Sequence, residues 1–342
     1  MKKLLLSSAL AASVLFTGAS FAETKISGSL ETTINTKSAK TASTADNSGP
    51  TNIGHEAVIK ISTSKELSNG LKMSAGFALD SSDSTNGVVT GGLASDQFVT
   101  LAAGGTSISI GNDVSGVADN VSQEDFTPHV AQDFHSVGIG TIDGVSTAHG
   151  SNGIYVKHST DMLTFEGVYT PTIAADNETG ASTNSEISGS GFDLAVKGNL
   201  GVPGLTIGYG ISETNAADTS LSTAVKLKGT AYGAKYAMGG FTVGYGFTKN
   251  EDESFKTATV GVDTEHQTYG VAYQINKQLS VSVAMGEADV SNLALDEEYQ
   301  TVQVGYDFGG MGITAGYYEV ENVGGVTGVD QEVFEIRTVT KF

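Results

Sequence analysis

Apolar and polar residues alternate with a period of two in many separate segments of this chain. In segment 71–79 the large apolar residues occupy the odd positions, and segments 205–211, 241–247 and 279–285 repeat the pattern. The positions between them carry mostly Gly, Ala, Ser and Thr. Successive side chains of a strand point to opposite faces of a sheet, so each segment is predicted to be a strand with one large apolar face and one small or polar face.

These segments and the breaks between them predict sixteen strands. The predicted strands are 24–34, 55–66, 70–80, 95–103, 106–112, 153–160, 162–170, 190–199, 204–212, 227–238, 241–249, 266–275, 278–286, 298–308, 312–319 and 332–342. Short turns such as 104–105 alternate with long polar connections such as 35–54 and 113–152. Bacterial outer-membrane barrels have an even number of strands, short periplasmic turns and longer extracellular loops. The sequence therefore predicts an all-β fold, a transmembrane antiparallel up-and-down β-barrel.

The first residues have the order of a secretory signal peptide. Lys2 and Lys3 precede an apolar run, and the small residues Ser20 and Ala22 follow it. Charged, apolar and small-residue regions in this order are typical of a cleaved signal, and the run is shorter than the roughly 20 residues that a membrane-spanning helix needs. We predict a signal peptide at 1–22 and a single barrel domain at 23–342.

Charge and residue composition exclude several classes of function. The chain has 38 acidic and 18 basic residues, a formal net charge of −20, whereas binding to nucleic acid requires clustered positive charge. It has no cysteine, and therefore no disulfide or thiolate metal site. His129, Asp133 and His135 are loosely spaced for metal ligands, and no Gly-x-Ser-x-Gly elbow occurs. We predict no catalytic residues, no metal and no cofactor.

Three internal motifs and the last residue resemble Gram-negative general diffusion porins. Segment 64–77 resembles their second hairpin, 105–111 the strand that enters their third loop, and 152–156 the strand that leaves it. Phe342 resembles the terminal Phe of outer-membrane barrels, where the final strand is an assembly signal. The resemblance implies an outer-membrane homotrimer that passes small hydrophilic solutes and ions. It also implies that the third loop, here 113–152, folds into the lumen and narrows it.

The third loop is acidic, and the predicted lumen wall carries few cations. Loop residues 113–152 include no Lys or Arg, and the acids predicted to line the constriction are Asp113, Asp119, Glu124, Asp125 and Asp133. By strand parity the basic residues predicted to face the lumen are Lys60, Lys157, Lys197, Lys235 and Arg337. The family often has Arg after the glycine that ends the fifth strand, but here Asn112 follows Gly111, and Arg337 is the only arginine. Because acidic rings favour cations in pores, we predict a cation-preferring channel; the alternative for the loop is an ordinary solvated surface.

Other functions of a barrel remain open at this point. The channel could be substrate-selective or a receptor, with binding groups in the third loop, and saturable conductance would distinguish this from passive diffusion. An outer-membrane enzyme is disfavoured because no catalytic set is present. A structural or adhesive surface barrel would have a lumen closed to ions. In each case the predicted neighbours are outer-membrane lipid and lipopolysaccharide.

Overall fold

The computed structural model describes residues 23–41, 44–82, 95–111, 117–130, 152–172, 187–218, 223–252, 263–291 and 293–342. Sixteen strands make up most of this part of the chain. They are β1 (Glu23–Thr41), β2 (Thr44–Glu66), β3 (Lys72–Ser82), β4 (Ser95–Ala103), β5 (Thr106–Gly111), β6 (Asn152–Ser159), β7 (Leu163–Thr172), β8 (Ile187–Gly198), β9 (Leu205–Asp218), β10 (Thr223–Met238), β11 (Phe241–Asp252), β12 (Thr264–Gln274), β13 (Leu279–Val290), β14 (Glu297–Asp307), β15 (Met311–Glu321) and β16 (Asp330–Lys341). The predicted signal peptide, 1–22, lies outside the described residues.

The strands form one closed antiparallel barrel, which confirms the predicted fold class. Each strand pairs with its neighbours in sequence, and β1 closes the ring by pairing with β16, for example Ile34 opposite Ile336. Each of the sixteen described strands therefore has a paired neighbour on both sides. That is a requirement in hydrocarbon, where each unsatisfied backbone group costs several kcal/mol.

The two faces of the barrel differ as the alternation predicts. On β14 the side chains of Val302 and Val304 are 57% and 40% exposed on the outside, whereas Thr301 and Gln303, pointing inward, are 2% and 1% exposed. Large apolar residues are thus exposed on the outer surface, where lipid would cover them, and the inner face carries mainly small or polar residues together with a buried cluster that includes Tyr299, Tyr318 and Val333.

Most strands are longer than predicted at the ends joined by the long connections; β4 begins where predicted, and β5 ends one residue earlier. The segment 35–54 was expected to be a loop, but β1 extends to Thr41 and β2 begins at Thr44, with Thr36 opposite Thr51. Pairing continues here because Thr and Ser tolerate extended backbone and do not need an apolar neighbour. At the opposite ends, Gly104 and Gly239 take the positive φ angles of 57° and 62° that tight turns need, and the predicted boundaries agree closely.

The best-buried apolar residues lie inside the barrel. One cluster joins residues of the third loop to the inner wall and includes Val121, Phe126, Ala195 and Ala231. The described part of the third loop, residues 117–130, contains a 3-10 turn, Asp119–Val121, and one α-helical turn, α1 (Gln123–Phe126). In the described residues no helix is long and apolar enough to cross a membrane.

Candidate functional site

Residues 117–130 of the third loop lie against the inner wall of the barrel, as the resemblance to diffusion porins implies. The 3-10 turn contacts β8, β9 and β10, and α1 contacts β10, β11 and β12. Val121 and Phe126 are completely buried between the loop and the wall. Burial of side chains of this size contributes roughly 1.5–3 kcal/mol each, so the apolar side of the loop is a main source of its attachment.

Polar side chains of β11 and β12 hold α1 in register. The backbone amide of Gln123 donates to Thr248 Oγ1 at 3.0 Å, and the Thr248 hydroxyl donates to the side-chain oxygen Gln123 Oε1. Thr268 Oγ1 donates to the Gln123 carbonyl at 3.0 Å. Thr127, one residue beyond α1, shares a hydrogen bond with the Thr268 hydroxyl. Gln123, Thr248 and Thr268 are all buried, so these bonds are shielded from competing solvent.

The attachment continues past α1 onto two further strands. The Val130 amide donates to Ser282 Oγ on β13 at 3.1 Å and to Gln303 Oε1 on β14 at 3.0 Å. The described part of the loop therefore contacts the wall from β8 to β14 and leaves the side of the barrel formed by β16, β1 and β2 facing it.

Two predicted wall lysines are directed at the loop. Lys197 Nζ lies 3.2 Å from Asp125 Oδ1 and donates to the Asn120 carbonyl at 2.9 Å. It also lies 5.5 Å from the centre of the Phe126 ring, within cation–π range. Lys235 Nζ donates to the Asp125 carbonyl at 2.9 Å. These lysines therefore attach the loop to the wall.

Asp125 is the described loop acid with the most constrained surroundings. Burial against the wall raises the pKa of the Asp125 carboxyl above its ordinary value, while the charges of Lys197 and Lys235 oppose the rise and Asp119 adds to it. Desolvation is the larger effect, because the charged carboxylate loses more hydration than one ion pair restores.

The single arginine is surrounded by carboxylates. Arg337 Nη2 donates to Glu31 Oε2 on the neighbouring strand at 2.5 Å. Glu335, two residues away on the same face of β16, is only 4% exposed, and Glu56 lies directly opposite Glu31 in the β1–β2 pairing. This part of the wall therefore combines one positive side chain with three acidic ones.

Lys157 also has an acidic neighbour. Its Nζ lies 3.4 Å from Glu166 Oε1 on β7, and the Tyr155 hydroxyl donates to the same carboxylate oxygen. Lys60 lies opposite Ala78, on the inner face as parity predicts. Three of the five predicted wall cations, Lys157, Lys197 and Arg337, are thus in ion pairs with carboxylates.

The predicted loop acids are described only in part. Asp119 is exposed and Asp125 partly so, both within the segment that enters the barrel. Glu124 lies in α1, but its side chain is outside the described part of the structure, as are Asp113 and Asp133 altogether.

A recess lies between the loop and the turn-side half of the wall. Its volume is about 450 Å³, and it is lined by Asp125, His129, Thr206, Lys235 and Thr242 together with small residues. No group of three His, Asp or Glu side chains among the described residues is arranged to hold a metal ion.

The C-terminal residue completes the barrel seam. Phe342 exchanges two backbone hydrogen bonds with Gly28 of β1, at 2.8 and 3.0 Å, and its ring is 68% exposed on the outer surface. The ring packs over Gly28, where an added Cβ would lie 2.7 Å from it. Phe342 therefore joins the last strand to the first.

Sequence reasoning missed the residues that attach the loop. Gln123, Thr248, Thr268, Ser282 and Gln303 carry no motif, and nothing in the sequence pairs them. The signal that was present, a run of very small residues on the inner faces of β9 to β12, was interpreted only as strand alternation.

A closed sixteen-stranded barrel with an apolar exterior, a polar interior and an inward-folded third loop defines the class of outer-membrane diffusion channels. The chain belongs to the Gram-negative porin family, whose model matches residues 9–325. It therefore forms an outer-membrane channel, and the family is not enzymatic.

Solved structures share the fold at low sequence identity. The anion-selective porin from Comamonas acidovorans is similar with a TM-score of 0.71 and 13% identity, over 94% of this chain and 100% of that one. OmpT of Vibrio cholerae has a TM-score of 0.64 and 11% identity, over 95% and 99%. A mutant Rh. blastica porin has a TM-score of 0.60 and 14% identity, over 94% of this chain and 100% of that one. No curated protein sequence matches this chain.

Proposed function

We propose that this porin is a water-filled, cation-preferring channel for the passive diffusion of ions and small hydrophilic solutes. The observation that carries the proposal is the pairing of two wall cations with acids of the wall: Lys157 lies against Glu166, and Arg337 lies against Glu31. Lys197 pairs with the loop acid Asp125, which leaves the other four predicted loop acids opposed by Lys60 and Lys235 alone among the predicted wall cations. Fixed acids in a lumen with low-dielectric walls concentrate cations, and a screening length of ~8 Å at physiological salt spans a narrow constriction.

The test is the zero-current potential of the purified protein in a planar bilayer under a salt gradient. The sign should correspond to cation preference, and it should weaken when Asp119, Glu124, Asp125 and Asp133 are changed together to their amides. The matched control changes four carboxylates on the outer face, Glu265, Glu287, Glu319 and Glu332, to Gln. It removes the same charge outside the lumen and should leave the potential nearly unchanged.

The outcomes separate the alternatives. Anion preference of the unmodified protein would refute the selectivity proposal, even though the channel itself remained. An unchanged potential in the four-amide variant would mean that the acids responsible for ion selectivity lie on the wall and not on the loop. Conductance that saturates with one solute would favour the substrate-selective alternative, and a lumen closed to ions would favour a structural or adhesive role.

We further infer a homotrimer, with contacts through the outer face of β1 to β6. Among the described residues of these strands, Phe77 is the only aromatic side chain on the outer face, whereas β7 to β15 carry many. On the same face Thr32 Oγ1 is 3.0 Å from His55 Nδ1, and Thr36 and Thr51 hydroxyls are 3.1 Å apart. The free-energy cost of burying a polar side chain is lower against another protein surface, which can offer hydrogen-bond partners, than against lipid tails. Chemical cross-linking in detergent should give trimers, and only monomers would refute this inference.

The remaining predictions concern export and the surrounding membrane. Removal of residues 1–22 should give a mature chain that begins at Glu23, which N-terminal sequencing of outer-membrane protein tests; an intact Met1 would contradict it.

Lipid should cover the outer apolar face, and lipopolysaccharide should co-purify with the protein. Its absence from protein extracted in mild detergent would count against that partner.

A further inference from the structure

The third loop lies on a row of glycines in the barrel wall. Glycines occupy seven inward positions on β9, β10, β11, β12 and β14 where atoms of residues 117–130 lie close to the wall. We call these residues the glycine seat: Gly208, Gly210, Gly233, Gly244, Gly246, Gly270 and Gly305.

At each of these positions an added Cβ would meet the loop. At Gly208 it would lie 2.5 Å from Phe126 Cζ, and at Gly210 2.5 Å from Val121 Cγ2. At Gly244 and Gly246 it would overlap the loop backbone itself, at the Phe126 carbonyl and at Gln123. At Gly270 and Gly305 the loop atoms would be 3.1–3.3 Å away, still tighter than ordinary contact.

Inward glycines away from the loop do not meet it. At Gly286 and Gly316 an added Cβ would meet side chains of the wall, Tyr299 and Tyr318. Gly54 on β2 and Gly312 on β15 lie on the inner face, opposite Thr33 and Val339, and a Cβ at either would meet nothing within 4 Å. Glycine is unfavourable within a strand, because it gains no packing and loses more backbone entropy. Its concentration under the loop therefore corresponds to a need for space there.

We propose that the glycine seat sets the width of the channel. With no side chain beneath it, the loop lies directly on the strand backbone and occupies the least possible part of the lumen. The hydrogen bonds of Gln123, Thr127 and Val130 fix where along the wall the loop lies, and the glycines fix how close it lies. This inference rests on the proposed channel function and deepens it, since it makes uncharged residues responsible for the size of the pore.

The first experiment adds single methyl groups. Gly246→Ala and Gly244→Ala should displace the loop toward the opposite wall, because the obstacle is backbone and cannot rotate away. Single-channel conductance should fall, and the largest neutral polymer that enters the pore should be smaller. Gly54→Ala and Gly312→Ala are matched controls on the inner face and should leave both quantities at the wild-type values.

A rescue experiment separates steric displacement from general damage. Val121→Ala removes the side-chain atom nearest the Gly210 position, so Gly210→Ala combined with Val121→Ala should recover conductance relative to Gly210→Ala alone. Gln123→Ala removes no backbone atom, so it should not rescue Gly246→Ala. Each variant is first shown to be folded by its altered gel migration before boiling.

A distance measurement tests the same point without conductance. The chain has no cysteine, so cysteines introduced at Asn120 and Thr33 can be spin-labelled specifically across the lumen. The distance between the labels should shorten in Gly246→Ala and stay constant in Gly312→Ala. Unchanged distance, or unchanged or increased conductance, in a folded Gly246→Ala protein would overturn the inference. If the wild type carried no current while the distance shortened, only the proposed channel function would fail.

Discussion

At the scale of single residues, the distribution of charge in the lumen depends on which charged side chains pair with each other. The loop acid Asp125 is partly buried beside Lys197 on β8 and Lys235 on β10, whereas Asp119 is exposed. Strand parity predicts that wall lysines point inward but cannot show which carboxylate each one meets. The formal charge of the sequence therefore says less about selectivity than the arrangement of pairs does.

Asp125→Asn should weaken cation preference at neutral pH and remove part of its pH dependence. The pKa of Asp125 is raised by burial, so in the wild type this charge is lost at a higher pH than that of an ordinary Asp as the solution is acidified. A raised pKa also means that ionisation of Asp125 lowers stability as pH rises through that pKa. The variant should therefore change the free energy of unfolding by no more than about 1 kcal/mol, since a partly exposed ion pair contributes little.

The measurement for Asp125→Asn is the zero-current potential as a function of pH, with thermal unfolding in parallel. Asp119 on the same loop, together with Lys197 and Lys235, provides the charged surroundings of Asp125. Asp119→Asn is the comparison: it removes an exposed loop charge and only the smallest contribution to the raised pKa of Asp125, so it should weaken cation preference but leave most of the pH dependence in place. Identical pH profiles for wild type and Asp125→Asn would contradict the assignment.

Glu31→Gln should shift the channel toward anions. The substitution keeps an oxygen that can accept from Arg337 but removes the negative charge of the carboxylate that lies 2.5 Å from Arg337 Nη2, so the charge of the guanidinium is less compensated. Reversal potentials in a salt gradient measure the shift. Glu332→Gln, on the outer face of the same seam, is the control, and an equal shift in both variants would show that the effect does not come from the lumen.

At the scale of elements, sequence determines the strands better at one end of the barrel than at the other. Gly104 and Gly239 mark the short turns, since their positive φ angles favour glycine. At the long connections, β1 and β2 extend to Thr41 and from Thr44, beyond the predicted ends. Outside the membrane a strand no longer needs an apolar face, and so the alternation that reveals it disappears.

The third loop shows the same limit of sequence reasoning. Its length and acidity were visible, but its attachment depends on residues far away in sequence, such as Thr248 for Gln123 and Gln303 for Val130. Single residues on different strands carry these contacts, and no local pattern records them.

Deletion of Phe342 should reduce outer-membrane assembly far more than synthesis. The residue makes two backbone hydrogen bonds to Gly28 and packs its ring there, so its loss weakens the pairing of β1 with β16 that closes the barrel. Quantitative blotting of membrane fractions against whole cells measures the effect. Phe308→Ala, which truncates an exposed aromatic in a turn, is the control, and equal membrane levels for the deletion and the wild type would contradict the role of Phe342.

At the scale of the whole molecule, closure joins residues from the two ends of the chain. Ser29 on β1 pairs with Lys341 on β16, so each of the sixteen strands is hydrogen-bonded to a neighbouring strand on both sides. Contacts at such large sequence separation form slowly, because loop-closure entropy is lost before they stabilise the fold. The same pairing opposes unfolding, since no strand can leave without breaking two complete ladders.

The folded protein should therefore resist detergent at room temperature and unfold only on heating. Unboiled and boiled samples should migrate differently on denaturing gels, and circular dichroism of the unboiled sample should show mainly β-structure. The control is a chain that ends at residue 329 and lacks β16: it cannot close, so its edges remain open and its migration should not depend on boiling. Each unpaired backbone group costs several kcal/mol in an apolar medium, so the difference between the two chains should be all or none. Equal behaviour of the closed and truncated chains would show that stability does not depend on closure.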